Sequence, residues 1–217
     1  SKMIIEKTQF KDYKYLVANG CSFVQGSGLH DPLPNWPVKN VEGRFSDVLS
    51  KKLNCQEINI AAGGAGNDKI VRTTFEWVEQ NKEKLDTLII LGLSYWARKE
   101  IWVNEKNMYD KFKLVQRDFY YNEFVKKHLN YEQEMINLKR NLTMLDAYIK
   151  QVNPTVDLLI FGSFEIDNLV LDSFNSFKFN SKNKCWGQFV EKNRMHTIGG
   201  HPNKEAHKLI ADELYDF

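Results

Sequence analysis

Residues 15–28 read YLVANGCSFVQGSG, and the interpretation of the chain starts from them. The apolar run 15–18 predicts a short buried strand, which Asn19-Gly20 ends because both residues tolerate unusual backbone angles. Ser22 follows two residues later. A serine just beyond a buried strand lies at the carboxyl end of a parallel sheet, where open α/β folds bind their ligands. Ser22 is therefore a candidate site residue; the alternative is a polar turn with an incidental serine.

Length and composition indicate a globular α/β protein. The 217 residues suffice for one domain with a substantial core and are few for two, and 42% are hydrophobic and 27% charged. We therefore expect a single domain over 1–217. Thirty basic and 28 acidic residues give a formal charge of +2, which provides no electrostatic reason to expect nucleic acid or an anionic membrane as a partner. No apolar run approaches the roughly 20 residues of a membrane span.

The three cysteines are Cys21, Cys55 and Cys185, an odd number with no Cys-x-x-Cys pattern. They indicate reduced thiols in a reducing compartment and neither a disulfide framework nor a zinc site. No signal peptide is visible, so the sequence predicts a cytoplasmic protein; a processed secreted or virion protein stays open as the alternative.

Strands and helices alternate along the chain. Apolar runs predict strands at 15–19, 57–60, 87–91 and 156–161, and apolar residues at helical spacing predict helices between and after them. Asn67 is the expected N-cap of the second helix, whose buried face should include Ile70 and Phe75, and Asn203 that of the last. A long helix is expected over 131–152. This order favours a mostly parallel sheet with right-handed crossovers.

Three segments interrupt the alternation. Residues 27–40 hold three of the five prolines and predict a loop over the site. Residues 95–130 are rich in aromatic side chains and are interpreted as an insertion after the third strand, which could form a lid, a subunit contact or a stacking wall for substrate. Residues 163–200 carry no clear pattern.

Four short blocks in order resemble the SGNH (GDSL-type) hydrolases. Gly20-Cys21-Ser22-Phe23 resembles the nucleophile block of that family, and 59–64 resembles its second block, an Asn followed five residues on by Gly. Residues 92–95 (GLSY) fall where the third block, Gly-x-Asn-Asp, is expected. Residues 200–203 (GHPN) resemble the last block, whose histidine precedes the final helix. The resemblance implies a flavodoxin-like three-layer α/β/α sandwich and ester hydrolysis without metal or cofactor.

The resemblance implies Ser22 as nucleophile and His201 as general base. The backbone amides of Ser22 and Gly64 would bind the oxyanion, with Ser94 or Asn67 as the third donor. Two departures are visible: Ser94 replaces the third-block Asn, and Ile198 and Gly199 stand where an Asp normally precedes the histidine. A backbone carbonyl or another carboxylate must then orient His201.

Other side chains near the predicted strand ends leave alternatives open. Glu165 and Asp167, just after the fourth strand, are the carboxylates that could orient His201. The run Arg98-Lys99-Glu100 is interpreted as a solvated surface run, with substrate anchoring by a charge as the alternative. Cys21 is a rival nucleophile, but strand alternation should turn its side chain into the core.

Two functions follow. The first is a serine esterase or O-acetyl-carbohydrate deacetylase that works through a Ser22 acyl-enzyme, with a small ester or acetylated carbohydrate as substrate. The second is a catalytically degenerate module of the same fold that binds a carbohydrate or a protein partner. The missing Asp and Asn favour the second function, whereas the retained Ser22, Gly64 and His201 favour the first.

Overall fold

The computed structural model describes residues 12–29, 41–104, 108–111, 123, 126–179, 184–197 and 199–217. Most of the predicted loop at 27–40 and much of the aromatic segment at 95–130 lie outside the described residues.

The centre of the structure is a four-stranded parallel sheet. Its strands are β1 (Tyr15–Gly20), β2 (Gln56–Asn59), β3 (Thr87–Leu93) and β6 (Asp157–Gly162). Their order across the sheet is β2-β1-β3-β6, and each neighbouring pair is parallel. The parallel sheet predicted from the apolar runs is confirmed, with strand ends shifted by one or two residues.

Helices cover both faces of this sheet. On one face, helices α2 (Phe45–Lys52) and α7 (Lys204–Asp216) contribute Phe45, Leu49 and Ile210 to one apolar cluster. On the other face, α3 (Asn67–Gln80) and α4 (Tyr131–Val152) contribute Ile70 and Leu142 to a second cluster. All seven residues of β3 are buried because both faces are covered. The architecture is a three-layer α/β/α sandwich, as predicted. The described helices are α1 (Ser22–Gln25), α2 (Phe45–Lys52), α3 (Asn67–Gln80), α4 (Tyr131–Val152), α5 (Asn168–Leu171), α6 (Trp186–Lys192) and α7 (Lys204–Asp216).

The helix ends and faces confirm some predictions and correct others. Asn203 caps α7 by accepting a hydrogen bond from the Ala206 N–H at 3.0 Å, as predicted. The prediction that Asn67 caps α3 is wrong: Gly66 is the N-cap, and Asn67 is the first helical residue. Phe75 is also wrongly predicted as buried, since it is 42% exposed. The helix α4 has the predicted bounds, and no described helix is long and apolar enough to cross a membrane.

Two parts of the chain add structure that the patterns did not predict. A separate antiparallel pair, β4 (Glu100–Val103) and β5 (Met108–Lys111), lies within the aromatic segment. Residues 163–200 contribute the short helices α5 and α6 and a parallel bridge from Ile160 to Ser176 beside β6. Helices of four and seven residues are too short to show a helical period of apolar residues, so the sequence pattern did not predict them.

Candidate active site

Three strands end at the same edge of the sheet, and each is followed by a segment with a predicted site residue. Ser22 is the first residue of α1, directly after β1 and Cys21. The glycine-rich turn 60–66 follows β2, and Ser94 follows β3. Since the strands are parallel, these segments meet at the carboxyl edge, as predicted.

Two paired glycines allow α1 to sit on this edge. Gly20 and Gly92 are partners in the register of β1 and β3. A Cβ on either glycine would lie only 2.4 Å from Cγ2 of Val24, whose side chain fills the space above them. Because α1 is a single turn, the position of Val24 also determines the position of Ser22.

Polar contacts hold α1 from the side of β2. The Asn59 side-chain amide donates to the Val24 carbonyl at 3.0 Å and to the Ser46 hydroxyl at 3.0 Å. The buried Arg44 guanidinium binds Glu57 through two hydrogen bonds of 2.7 and 2.9 Å. The Ser46 hydroxyl donates to the same carboxylate. Asn59 of the second block therefore has a defined role, which is to fix the α1 turn against the sheet.

His201 lies on a tight hairpin before α7. The Thr197 N–H donates to the His201 carbonyl at 2.7 Å, and the Gly200 N–H donates to the Thr197 carbonyl at 2.9 Å. Residues His196 and Pro202 form an antiparallel bridge across the hairpin. Gly200 has a φ of 75°, a left-handed conformation that glycine adopts without strain. The hairpin presents the imidazole toward the α1 turn.

The His201 ring packs beside the nucleophile turn. Its centroid is 6.0 Å from that of Phe23, the residue after Ser22, in an edge-on arrangement. The turn that closes α1 touches the same hairpin, because a Cβ on Gly28 would lie 3.3 Å from the His201 Cβ and 2.8 Å from the Thr197 hydroxyl. The structure therefore brings the Ser22 turn and His201 together.

The pKa of His201 is lowered, mainly because the half-buried ring is desolvated. The positive charge of Arg98 lowers this pKa further, whereas a hydrogen bond to the backbone of Gly199 raises it, as a carbonyl acceptor does. Gly199 stands where a triad acid was expected. At neutral pH the ring is therefore uncharged and able to accept a proton.

The glycine turn after β2 lies against Ser22. A Cβ on Gly63 would lie 3.9 Å from the Ser22 Cβ and 3.1 Å from Oε1 of the buried Gln25. The next residue, Gly64, is exposed and has a φ of 71°. Its backbone is therefore accessible beside the nucleophile turn.

Asn67 and Ser94 bind each other. The Asn67 amide donates to the Ser94 carbonyl at 3.0 Å, and its Oδ1 accepts from the Ser94 N–H at 2.7 Å. The Ser94 side chain is fully buried, and its hydroxyl oxygen accepts a hydrogen bond from the Arg98 guanidinium at 2.9 Å. The pair joins the start of α3 to the end of β3.

The two predicted carboxylates have other partners. Glu165 forms a surface ion pair with Lys184 at 2.8 Å, and Asp167 accepts from the Leu169 N–H as the N-cap of α5. Both line a cavity of about 330 Å³ with Tyr131. Both carboxylates thus lie with Tyr131 and Lys184, whereas the group that accepts a hydrogen bond from the His201 ring is the Gly199 backbone carbonyl.

Cys21 is fully buried in the apolar cluster, in agreement with its predicted inward orientation. Across the described ranges, no group of three or more His, Cys, Asp or Glu side chains could hold a metal ion.

Sequence reasoning treated Arg98 as part of a solvated run and did not consider Phe164. The Arg98 guanidinium carbon lies 4.8 Å from the centre of the Phe164 ring, and Phe164 packs on Phe23 with centroids 5.2 Å apart. Residues 94–99 are not helical, so no periodicity in the sequence predicts this contact.

Comparison with known proteins supports a fold assignment. No protein-family model and no curated protein matches the sequence. Among solved structures, the chain resembles the acetyl xylan esterase Est2A from the rumen bacterium Butyrivibrio proteoclasticus (TM-score 0.54, 14% identity), covering 94% of this chain but only 63% of Est2A. It also resembles the psychrotrophic esterase EstA from Pseudoalteromonas sp. (TM-score 0.52, 17% identity), with 94% of this chain and 95% of EstA covered.

A third similar structure is a carbohydrate esterase whose active site is described as having divergent catalytic and non-catalytic binding functions (TM-score 0.55, 14% identity, 94% of this chain and 67% of that one). GDSL-type proteins from Parabacteroides merdae and Veillonella parvula also match. At these identities the likeness concerns the fold. The chain has the fold of the SGNH (GDSL-type) hydrolases, as the four sequence blocks predicted.

Proposed function

We propose that this protein is a serine ester hydrolase in which Ser22 is the nucleophile and His201 the general base. The observation that carries the proposal is the packing of the His201 ring against Phe23, beside Ser22, at the carboxyl edge of the sheet. A serine needs a neighbouring base to become nucleophilic, and a neutral, partly desolvated imidazole is such a base.

The reaction proceeds in two halves. Ser22 Oγ attacks the ester carbonyl carbon while its proton passes to His201, and the tetrahedral intermediate expels the alcohol, which takes that proton. Water then attacks the acyl-enzyme, gives a proton to His201, and the returning proton restores the Ser22 hydroxyl as the acid leaves. The net reaction is ester plus water to acid plus alcohol.

Gly199 takes the orienting role that an Asp has in a complete triad. The His201 ring atom closest to the position that a Cβ on Gly199 would occupy is Nδ1, at 3.5 Å. With Nδ1–H directed to the Gly199 backbone, the neutral ring offers the Nε2 lone pair to Ser22. A carbonyl carries no full negative charge and stabilises the imidazolium less than an Asp, so we expect slow turnover.

Backbone amides of Ser22 and Gly64 are the proposed oxyanion donors. The exposed, left-handed Gly64 supports this because no side chain blocks the approach of substrate. Ser94 and Asn67 remain candidates for the third donor. The Ser94 hydroxyl accepts from Arg98 and retains its own proton, and the Asn67 amide uses one of its two hydrogens on the Ser94 carbonyl.

Small esters and acetylated carbohydrates are the proposed substrates. The similar structures include an acetyl xylan esterase and a carbohydrate esterase, which supports an acetyl ester as the first compound to try.

A binding module with the same fold is the second candidate. It is favoured by the engagement of Asn67 and Ser94 with each other and by the backbone hydrogen bond in place of a triad carboxylate. Such a module would bind a carbohydrate or a protein partner without turnover.

Hydrolysis of p-nitrophenyl acetate by purified protein tests the proposal. We expect slow, saturable turnover that Ser22→Ala and His201→Ala each abolish, with no further loss in the double variant because the two residues act as one unit. If Ser22→Ala retains the parent's rate, the turnover comes from elsewhere, and the binding module becomes the better explanation.

A further inference from the structure

We propose that Arg98 binds a carboxylate group of the substrate, so that the preferred substrates are esters whose acyl or alcohol part carries a negative charge. This inference rests on the proposed function for the position of the reacting ester, and it concerns a residue outside the proposed catalytic pair.

The backbone of Arg98 packs against the glycine-rich turn 60–66. A Cβ on Gly66 would lie 2.1 Å from the Arg98 carbonyl oxygen, so only glycine permits this close approach. The Arg98 N–H donates to the Tyr95 carbonyl at 3.1 Å. Arg98 therefore has a defined place in the segment after β3, where its backbone packs against the turn that carries Gly64.

The guanidinium is also held in place. One terminal nitrogen donates to the Ser94 hydroxyl at 2.9 Å, and the guanidinium plane lies over the Phe164 ring at 4.8 Å. Both contacts are uncharged. A guanidinium fixed by a hydroxyl and a ring keeps donors free for a planar anion, which is the geometry that suits a carboxylate.

The carboxylates around Arg98 have other partners. Lys99 is paired with Glu134, and Glu100 is paired with Arg72 through hydrogen bonds of 2.8 and 2.6 Å. Asp68 accepts from the Glu100 N–H at 2.9 Å and from the Lys69 N–H at 2.8 Å. In the part of the chain that the structure describes, Arg98 forms no ion pair. The half-buried Arg98 guanidinium thus contacts the uncharged Ser94 hydroxyl and Phe164 ring, and its positive charge is available to an external anion.

This positive charge lies close to the reacting groups. Phe164, under the guanidinium, packs on Phe23, and Phe23 packs on the His201 ring. Arg98, from the segment after β3, is the charged group whose field lowers the pKa of His201, and His201 in turn lowers the pKa of His207 in α7. Burial lowers the pKa of His207 to about 3, so at neutral pH His207 is uncharged and Arg98 dominates.

An empty Arg98 site should hinder catalysis. His201 becomes a cation when it takes the Ser22 proton, and a nearby guanidinium disfavours that charge. A substrate carboxylate on Arg98 cancels the opposing field and makes His201 a stronger base. The oxyanion of the intermediate is a poorer ligand for Arg98 than a substrate carboxylate. The backbone amides of Ser22 and Gly64 already donate to the oxyanion, and its charge is transient, whereas Arg98 is permanently charged.

The test compares matched charged and neutral esters. One pair is 3-acetoxybenzoate and its methyl ester, with the charge on the alcohol side; the other is mono-4-nitrophenyl adipate and 4-nitrophenyl hexanoate, with the charge on the acyl side. In at least one pair we expect the kcat/KM ratio of charged to neutral ester to fall about tenfold in Arg98→Gln, the effect of one charge-assisted contact at a half-exposed site. Arg98→Lys should give an intermediate ratio, and high salt should lower the parent's ratio.

The matched control is Lys150→Gln, which removes one positive charge from the far end of α4. Among the residues that the structure describes, the ion-pair partner of Lys150 is Asp146, and the Lys150 side chain is 67% exposed, so the ratio should equal the parent's. If Arg98→Gln and Lys150→Gln both leave the ratio unchanged in both ester pairs, the carboxylate site is refuted while the turnover of the neutral esters still supports the proposed function.

A second experiment, an NMR titration of His201, does not depend on turnover. In the Ser22→Ala protein, benzoate at saturating concentration should raise the pKa of His201 measured from its ring NMR signal, and Arg98→Gln should remove this response. A benzoate response that persists without Arg98, or an unchanged His201 pKa in the presence of Arg98, contradicts the proposal even if the protein hydrolyses no ester.

Discussion

His207 gives a residue-scale prediction about stability. It is fully buried in α7, its Nδ1 accepts the Phe45 N–H at 3.0 Å, and burial is the main reason why its pKa falls to about 3. An unfolded histidine has a pKa of about 6.5, so below that pH the unfolded chain binds more protons than the folded one. The stabilising contribution of neutral His207 is therefore complete above pH 6.5 and is lost progressively as the pH falls toward 3.

Urea denaturation at pH 7.5 and pH 5.0 measures this contribution. Linkage predicts that His207 alone lowers the free energy of unfolding by about 2 kcal/mol between these pH values. In His207→Gln the pH-dependent loss should be smaller than the parent's by that amount. Gln80→Ala, a change at an exposed uncharged residue of α3, should keep the parent's pH dependence. Equal losses in His207→Gln and the parent would contradict the assignment.

Asn67 and Ser94 show which residue-level features the sequence predicts. Their location at the carboxyl edge follows from their place after β2 and β3, because parallel strands end at the same side. Their reciprocal hydrogen bonds could not be predicted, since N-cap preference is a local rule and the partner is 27 residues away. For the same reason the contacts of Arg98 with Ser94 and Phe164 are not visible in a run of three charged residues.

At the scale of elements, long segments were predictable and short ones were not. The apolar residues of α4 repeat at helical spacing over enough of the chain to predict both ends of the helix. The apolar run of β3 predicted a strand that is covered on both faces. In contrast, α5 and α6 are short, and contacts with distant parts of the chain hold them, as where Trp186 and Val190 of α6 pack in the same cluster as Ile210 of α7. Phe75 carried an apolar signal but lies exposed against Tyr148 of α4, with ring centroids 4.8 Å apart.

The ion pair between α2 and β2 gives an element-scale prediction. The Arg44 side chain is 3% exposed and that of Glu57 is 16% exposed, and the pair lies next to the Gln25 carbonyl at the end of α1. Glu57→Ala removes the carboxylate that accepts two hydrogen bonds from the buried Arg44 guanidinium, so the free energy of unfolding should fall by about 3 kcal/mol. Chemical denaturation of the purified variant measures this.

Glu79→Ala is the matched control. Its pair with Lys82 lies on the surface of α3, with side chains 38% and 53% exposed, and removing it should change stability by less than about 0.5 kcal/mol. The explanation of how α1 is held in place is contradicted if the two variants lose similar amounts of stability.

At the scale of the whole molecule, the order of strands and helices determined which residues meet. Ser22, Gly64 and His201 are separated by long stretches of chain, yet the parallel sheet and the hairpin before α7 bring their segments to one edge. Sequence patterns predicted from topology that the segments of Ser22 and Gly64 meet, and the resemblance to the SGNH hydrolases predicted that His201 joins them. They could not predict that Gly199 supplies the hydrogen bond to the imidazole, because a backbone carbonyl is present at every position and leaves no signature in a sequence.

The most direct test of the central claim is covalent labelling with a fluorophosphonate, followed by intact-mass and peptide mass spectrometry. Attack by Ser22 on phosphorus expels fluoride and leaves a stable phosphonyl-serine. The account predicts one adduct per chain, located on the peptide that contains Ser22, absent in Ser22→Ala and strongly slowed in His201→Ala. A folded parent protein that forms no adduct, or an adduct that persists in Ser22→Ala, would contradict the claim that Ser22 and His201 form a nucleophilic site.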